Sequence, residues 1–172
     1  MDRHPAPHSL LAKVFHWVFI GVYAYGVVKP VDEVEELSDP AFLAEEFLYA
    51  TAFLTLLLVR FLYMRSFADS QLHHDASGLI QRLARFVHLA LYACLAMLAL
   101  SGIAIGGLYA SSIESGAVFG LMLWLHEACY WSSVTLIGVH ILGAIYHRIL
   151  GDGIWSSMVP VFKERDARPY SS

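Results

Sequence analysis

The residues best able to do chemistry in this chain are histidines inside long apolar segments. His126 and His140 lie in the run WLHEACYWSSVTLIGVHILGAIYH at 124–147, and His16 lies in an apolar run near the amino terminus. An ionisable side chain costs about 2.5–3.5 kcal/mol at the centre of a membrane helix on insertion scales, so it is rare without a compensating partner. A neutral imidazole is also a common metal ligand, and iron is one of the metals that it binds.

The spacing of the two histidines in the last segment is helical. The difference 140 − 126 is 14 residues, which is close to four turns and puts both rings on one face of a helix. At a rise of 1.5 Å per residue they are roughly 21 Å apart along the axis. If this helix crosses a membrane, one ring lies near each surface.

The composition favours such a membrane helix. The chain has 172 residues, of which 58% are apolar and 15% charged, and a bilayer core of about 30 Å needs roughly 20 apolar helical residues. Four segments are long enough, namely 11–29, 46–64, 86–108 and 123–150. We therefore predict an all-α membrane protein, a four-transmembrane-helix bundle that forms a single domain over 1–172. The net charge of −4 gives no indication of nucleic-acid binding.

The charges predict how the bundle is oriented. The connection between the first two spans is acidic, and Pro40 could begin a short interfacial helix there. Basic residues lie between spans two and three and in the tail 151–172; they include Arg65, Arg82, Arg85, Lys163, Arg165 and Arg168. By the positive-inside rule both termini are cytoplasmic, so spans one and three run outward.

This orientation pairs two of the histidines. A b-type haem that carries electrons needs an imidazole nitrogen on each side of its plane, and the second ligand must come from another helix at the same depth. His16 lies early in an outward helix and His140 lies late in an inward one, so they are level. A single intramembrane histidine is more often a packing or polar contact, but the set of His16, His126 and His140 favours haem.

Other polar residues lie near the predicted inner surface. His88 and His147 could donate to a haem propionate, contact a quinone or relay protons, and interfacial polar residues are the alternative reading. Arginines could bind the anionic propionates, although topology alone would also place them there; they are Arg60, Arg82, Arg85 and Arg148. The segment LHHD at 72–75 lacks further ligands and is interpreted as a polar loop.

The motifs together resemble the prokaryotic cytochrome b561 family, which is akin to the membrane b subunits of hydrogenases and formate dehydrogenases. The matching segments are KVFHW, LVRFLYMR, RLARFVHLALY, WLHEA, IGVHILGAIYHR and GDGIWSSMVP, in order between residues 10 and 160. The resemblance implies a membrane electron carrier linked to the quinone pool, with one haem near each face. It implies that His16 and His140 hold the inner haem and that His126 and a span-two histidine hold the outer one.

The sequence departs from this family at the outer haem. The span-two histidine would fall on or beside Glu46, and EEFLYATAF contains no histidine. The outer site is then five-coordinate at His126, differently ligated or empty, and Tyr49 is the only other conventional ligand candidate on that face. We expect one haem b, at the inner level, and no bis-histidine haem at the outer level.

The interpretation is a multi-pass electron carrier of a bacterial inner membrane, surrounded by lipid, that passes electrons between a periplasmic or membrane donor and quinone. The acidic outer loop could dock a basic periplasmic cytochrome c or another redox subunit. Two alternatives stay open. The chain could be the membrane-anchor cytochrome b subunit of a larger oxidoreductase, or a haem-poor structural membrane subunit.

Overall fold

The computed structural model describes residues 10–29, 34–67, 78–151 and 154–159. Side chains are described at most of these positions, the exceptions being Phe67, residues 79–81 and residues 157–158. The LHHD segment and the basic residues of the tail lie outside the described residues.

Four long helices form the fold, and each contains one of the predicted spans, except that α1 ends one residue before the predicted span 11–29 does. They are α1 (Leu10–Val28), α2 (Pro40–Phe67), α3 (Gly78–Ala110) and α4 (Ala117–Leu150), followed by the short α5 (Ile154–Met158). All four are long and apolar enough to cross a bilayer, and no strand occurs in the described ranges. The prediction of an all-α bundle with four membrane-spanning helices is confirmed.

The acidic connection differs from the prediction. A 3-10 helix occupies Val34–Ser38, and Pro40 begins α2 itself rather than a separate interfacial helix. The Asp39 Oδ1 atom accepts a hydrogen bond from the Ala41 amide at 2.9 Å, which caps the helix. Proline directly after an aspartate cap is favourable, because its fixed φ suits the first turn and its missing N–H has no partner to lose there.

Two groups of buried side chains, which together include residues of all four long helices, form the core. Phe19 of α1, Phe53 and Leu57 of α2, and Leu95 of α3 form the central group. The second group consists of Leu37 of the 3-10 helix, Ile105 of α3 and Phe119 of α4. Large apolar side chains also cover the outside of the bundle, for example Leu62, Leu83 and Leu142. An apolar exterior of this kind is what a helix facing lipid requires.

Helices α1 and α4 face each other without close backbone packing. The close contacts join α3 to α4, α2 to α3 and α1 to α2. Long side chains bridge α1 and α4 instead, and one bridge is the hydrogen bond between Tyr23 and Ser133 at 2.8 Å. The space between these two helices is where the candidate inner site lies.

Candidate functional site

The first candidate site contains the two histidines that were predicted to lie at one depth. The rings of His16 on α1 and His140 on α4 face each other with centroids 6.3 Å apart and planes inclined by 68°. Two imidazole nitrogens on opposite sides of a metal, with bonds of about 2.0–2.1 Å as for zinc, put the ring centroids roughly 6 Å apart. The separation therefore fits two axial ligands of one iron.

His88 of α3, which the sequence offered as a propionate, quinone or proton-relay residue, joins this pair through a ring contact that was not predicted. Its ring lies edge-on to that of His140, with centroids 5.0 Å apart. Its Nδ1 is 2.7 Å from the Ala84 carbonyl, so Nδ1 carries the hydrogen because a carbonyl can only accept. A separation of 5.0 Å is too short for two rings on opposite sides of an iron, so His88 is better placed as a neighbour of the ligand pair than as its third member.

Arg60 of α2 supplies a positive charge beside these rings. Its Nε donates to the Tyr92 hydroxyl at 3.2 Å, and its guanidinium lies over Phe19, 5.9 Å from the ring centroid. It is close enough to act electrostatically on both His16 and His140. Its Nη1 is buried and has no hydrogen-bond partner among the side chains and backbone that the structure describes.

A buried guanidinium nitrogen without a partner is unusual, since buried polar groups are nearly always hydrogen-bonded. An anionic group bound beside Arg60, such as a haem propionate, would satisfy it. The residues of the inner site thus fit a haem with His16 and His140 as ligands. Gly21, Gly138 and Gly143 are exposed, and a Cβ atom added at any of them would meet nothing within 4 Å, so they give no evidence for or against a haem.

The second candidate site is centred on His126 of α4, which α3 holds in one orientation. Its Nδ1 lies 3.0 Å from the Ser101 Oγ, and the Ser101 hydroxyl itself donates to the Leu98 carbonyl at 2.9 Å. Because the serine hydrogen is committed, Nδ1 of His126 must be the donor. The Leu98 carbonyl also acts as an acceptor toward the ring. The Nε2 atom is therefore left with its lone pair.

A cavity of about 410 Å³ opens beside His126. Helices α1 to α4 all contribute to its wall, which is mainly apolar, and its polar lining includes Glu46, Tyr49, Glu127 and Tyr130. Among the described residues that line it, His126 is the single histidine. One imidazole and a carboxylate do not provide the two nitrogen ligands of a low-spin haem, so a bis-histidine haem does not fit this site.

Glu46 and Tyr49 lie at this cavity, as the sequence predicted, but they have different partners. The Tyr49 hydroxyl donates to the Val22 carbonyl of α1 at 2.9 Å, so its hydrogen is committed to a neighbouring helix. The Glu46 carboxylate lies 4.0 Å from the Lys29 ammonium, which also donates to Glu45. The hydrogen bond to Glu45 raises the pKa of Lys29. Lys29 thus marks the outer mouth of the cavity with a positive charge.

The remaining predicted residues lie toward the end of the bundle that is farther from His126. Arg85 is exposed on α3. His147 packs its ring against Tyr146, with centroids 5.6 Å apart, and the Arg148 guanidinium lies over the Trp155 ring of α5 at 4.9 Å. These positions do not bring Arg85, His147 or Arg148 into the contacts described for His16 and His140.

Three supporting residues were missed in the sequence. Ser101 is 2% exposed and orients His126. Gly102 makes room for that ring, because a Cβ atom there would lie 3.3 Å from its Cε1. Tyr92 receives the Arg60 hydrogen bond. A serine and a glycine in adjacent positions of an apolar helix were the available signal, but small residues are common wherever membrane helices pack.

The fold and the two histidine levels define a multi-pass helical membrane protein with ligands suited to haem. The family model described as prokaryotic cytochrome b561 matches residues 7–161, which is most of the 172-residue chain. The chain belongs to the prokaryotic cytochrome b561 family. No curated protein and no solved structure gave a match. Membership of this family implies haem b, iron and electron transport in a membrane.

Proposed function

We propose that this protein carries electrons through one haem b held by His16 and His140, between a donor and the quinone pool of a bacterial inner membrane. The observation that carries the proposal is the 6.3 Å separation of these two rings, beside a buried arginine nitrogen that lacks a partner among the described residues. The haem, when bound, supplies the one-electron redox couple. The protein supplies axial ligands, a surrounding of low polarity and a cation.

Each residue of the inner site has a defined part in this proposal. His16 and His140 would hold the iron from two helices that do not pack closely, so a bound haem would also join α1 to α4. Arg60 balances the charge of a propionate, with Tyr92 holding the guanidinium by its Nε. His88 lies against the edge of the His140 ring and limits how that ring can turn.

The proposal is tested by haem content and by a reduced-minus-oxidised spectrum of the purified chain. We expect about one haem b per chain. His16→Ala and His140→Ala should each abolish most of the bound pigment, because an iron with one axial ligand is held less tightly. His88→Ala should keep the haem, since its ring is not opposite either ligand across an iron.

Matched controls are available on the same two helices. Val18 of α1 is exposed, and Thr135 of α4 is exposed with its hydroxyl bonded to the Trp131 carbonyl of its own helix. Val18→Ala and Thr135→Val should leave the spectrum unchanged. Equal haem content in all of these variants would contradict the assignment of His16 and His140 as ligands. A wild-type chain without haem would contradict the electron-carrier proposal and favour the structural-subunit alternative.

We further propose that both termini face the cytoplasm and that the acidic outer segment meets the electron donor. The segment presents Glu35 and Glu36 as exposed carboxylates, which would attract a basic partner such as a small cytochrome c. A reporter active only in the cytoplasm should work when fused after Ser172. If a catalytic subunit co-purifies with the chain, the anchor-subunit alternative replaces the free carrier.

A further inference from the structure

Arg60 is a charged residue held between three helices of the bundle. Its Nε donates to Tyr92 of α3 at 3.2 Å, and its guanidinium lies 5.9 Å from the centre of the Phe19 ring of α1. Its Nη1 is buried and has no partner among the described residues. A guanidinium stays charged in proteins, so burial cannot neutralise it. One hydrogen bond and one ring contact compensate only part of the cost of such a charge.

The long helices offer Arg60 no counter-ion at its own level. The carboxylates within these helices are Glu45 and Glu46 of α2 and Glu127 of α4. Glu46 is 60 − 46 = 14 residues from Arg60, which is roughly 21 Å along α2. Glu127 lines the cavity beside His126, at the other histidine level. No salt bridge joins Arg60 to a described carboxylate, so an anion that pairs with it must come from outside the four helices.

The position of Arg60 links this anion to the inner site. The Phe19 ring under the guanidinium belongs to the same face of α1 as His16, because the two residues are three positions apart. Arg60 is also close enough to act electrostatically on both His16 and His140. A haem bound by these two histidines carries two propionates, which are anions on an otherwise apolar ring.

We propose that Arg60 is the specificity-determining residue of the inner site: it selects a porphyrin with an anionic side chain and makes the stability of the bundle depend on that anion. This inference rests on the proposed function, which takes His16 and His140 as the haem ligands. A porphyrin with esterified carboxyl groups has the same iron and ring but leaves the guanidinium unpaired. A buried charge without its partner is strongly destabilising, and the haem-free chain bears the same cost.

The first test compares haem b with its dimethyl ester, in which both propionates are neutral, by spectroscopic titration of the haem-free full chain in nanodiscs. We expect the wild type to bind haem about tenfold more tightly or better than the ester, which is the scale of one hydrogen bond to a charged group. Arg60→Met replaces the guanidinium by an apolar group and should bind both porphyrins with nearly equal affinity. Arg65→Met makes the same change at an exposed position of the same helix and should keep the wild-type preference.

The second test measures the Tm of the haem-free chains by circular dichroism at one scan rate. Arg60→Met should raise the Tm by about 2–8 °C, because it removes an unpaired buried charge, and Arg65→Met should not. Tyr92→Phe should lower the Tm while Arg60 is present and change it less in the Arg60→Met background, where its partner is gone. If the haem-free wild type has no cooperative transition, Arg60→Met should restore one.

The outcomes separate this inference from the function proposed above. Equal affinity of the wild type for haem and its ester, or an unchanged preference in Arg60→Met, would overturn the selection by Arg60 while haem binding by His16 and His140 stands. A Tm of haem-free Arg60→Met that is no higher than that of the wild type would overturn the dependence of stability on the anion. A wild type that binds neither porphyrin would contradict the electron-carrier proposal, and the role of Arg60 with it.

Discussion

Tyr23 of α1 and Ser133 of α4 are joined by a 2.8 Å hydrogen bond between two helices that do not pack closely along their backbones. Ser133 is 0% exposed and its hydroxyl already donates to the Tyr130 carbonyl at 2.7 Å. Tyr23 is therefore the donor of the bridging bond. This bridge and the His16–His140 pair lie along the same interface, so Tyr23 helps to set the width of the inner site.

Tyr23→Phe should lower the stability of the bundle slightly, because it removes the bridge and leaves the buried Ser133 oxygen with one fewer partner. Hydrogen bonds between membrane helices contribute about 0.6 kcal/mol on average, so the expected fall in Tm is roughly 1–3 °C. Thermal unfolding followed by circular dichroism measures it. Tyr25→Phe is the control, since that hydroxyl makes only a long, exposed contact of 3.4 Å to Glu45; an equal effect of both changes would contradict the bridge.

Arg60→Gln should retain haem but lower its midpoint potential. The guanidinium stabilises the reduced, more negative state of the site, so its removal favours the oxidised state. We expect a fall of tens of millivolts, given about 59 mV per tenfold change for a one-electron couple. Redox titration of the alpha band measures it. Arg65→Gln on the exposed end of the same helix should change the potential less, and a reversed order would rule out a role for Arg60 near the haem.

Gly26→Ala should destabilise the protein, because the new methyl group would lie 2.1 Å from Tyr49 Oη and 2.7 Å from its Cζ. Tyr49 can move aside only by giving up its bond to the Val22 carbonyl. Overpacking of this kind costs about 1–3 kcal/mol. Gly21→Ala adds the same methyl group to the same helix where nothing lies within 4 Å. Its Tm should match or exceed that of the wild type, and identical behaviour of the two variants would disprove the close fit at Gly26.

Ser101→Ala should release His126 from its fixed orientation. The change removes one buried hydrogen bond, which contributes about 0.5–1.5 kcal/mol, and lets the ring exchange its hydrogen between the two nitrogens. The Tm should therefore fall by about 1–6 °C while haem content stays constant, as measured by thermal unfolding and by the haem spectrum. Ser111→Ala is the matched control, because that exposed hydroxyl bonds only the Gly107 carbonyl of its own helix. An equal Tm in Ser101→Ala and Ser111→Ala would show that Ser101 does not hold the His126 ring.

The sequence was sufficient for the helices and for the depth of each histidine. Apolar length identifies a span, and the rise per residue then gives the level of a side chain within it. These two steps predict that His16 is level with His140, and in the structure the centroids of the two rings are 6.3 Å apart. The absence of a histidine in the segment around Glu46 could likewise be read directly.

The sequence could not give the rotation of each helix. In a membrane both the lipid-facing and the bundle-facing sides are apolar, so the hydrophobic pattern does not say which side faces inward. For that reason the approach of His88 to His140 and the support of His126 by Ser101 were not predicted. Tyr49 was considered as a ligand because it lies one turn from Glu46, but its rotamer points the hydroxyl at the α1 backbone.

The fourteen-residue spacing of His126 and His140 also has an electrical consequence. Their separation along α4, roughly 21 Å, is about two-thirds of a hydrocarbon layer of about 30 Å. A charge that crosses the full thickness of the membrane changes its energy by about 2.3 kcal/mol per 100 mV of membrane potential. An electron that passes between these two levels would therefore release or take up about 1.5 kcal/mol per 100 mV. If electrons enter at the level of His126, the rate at which a haem held by His16 and His140 fills and empties should therefore respond to the voltage of the membrane in which the protein lies.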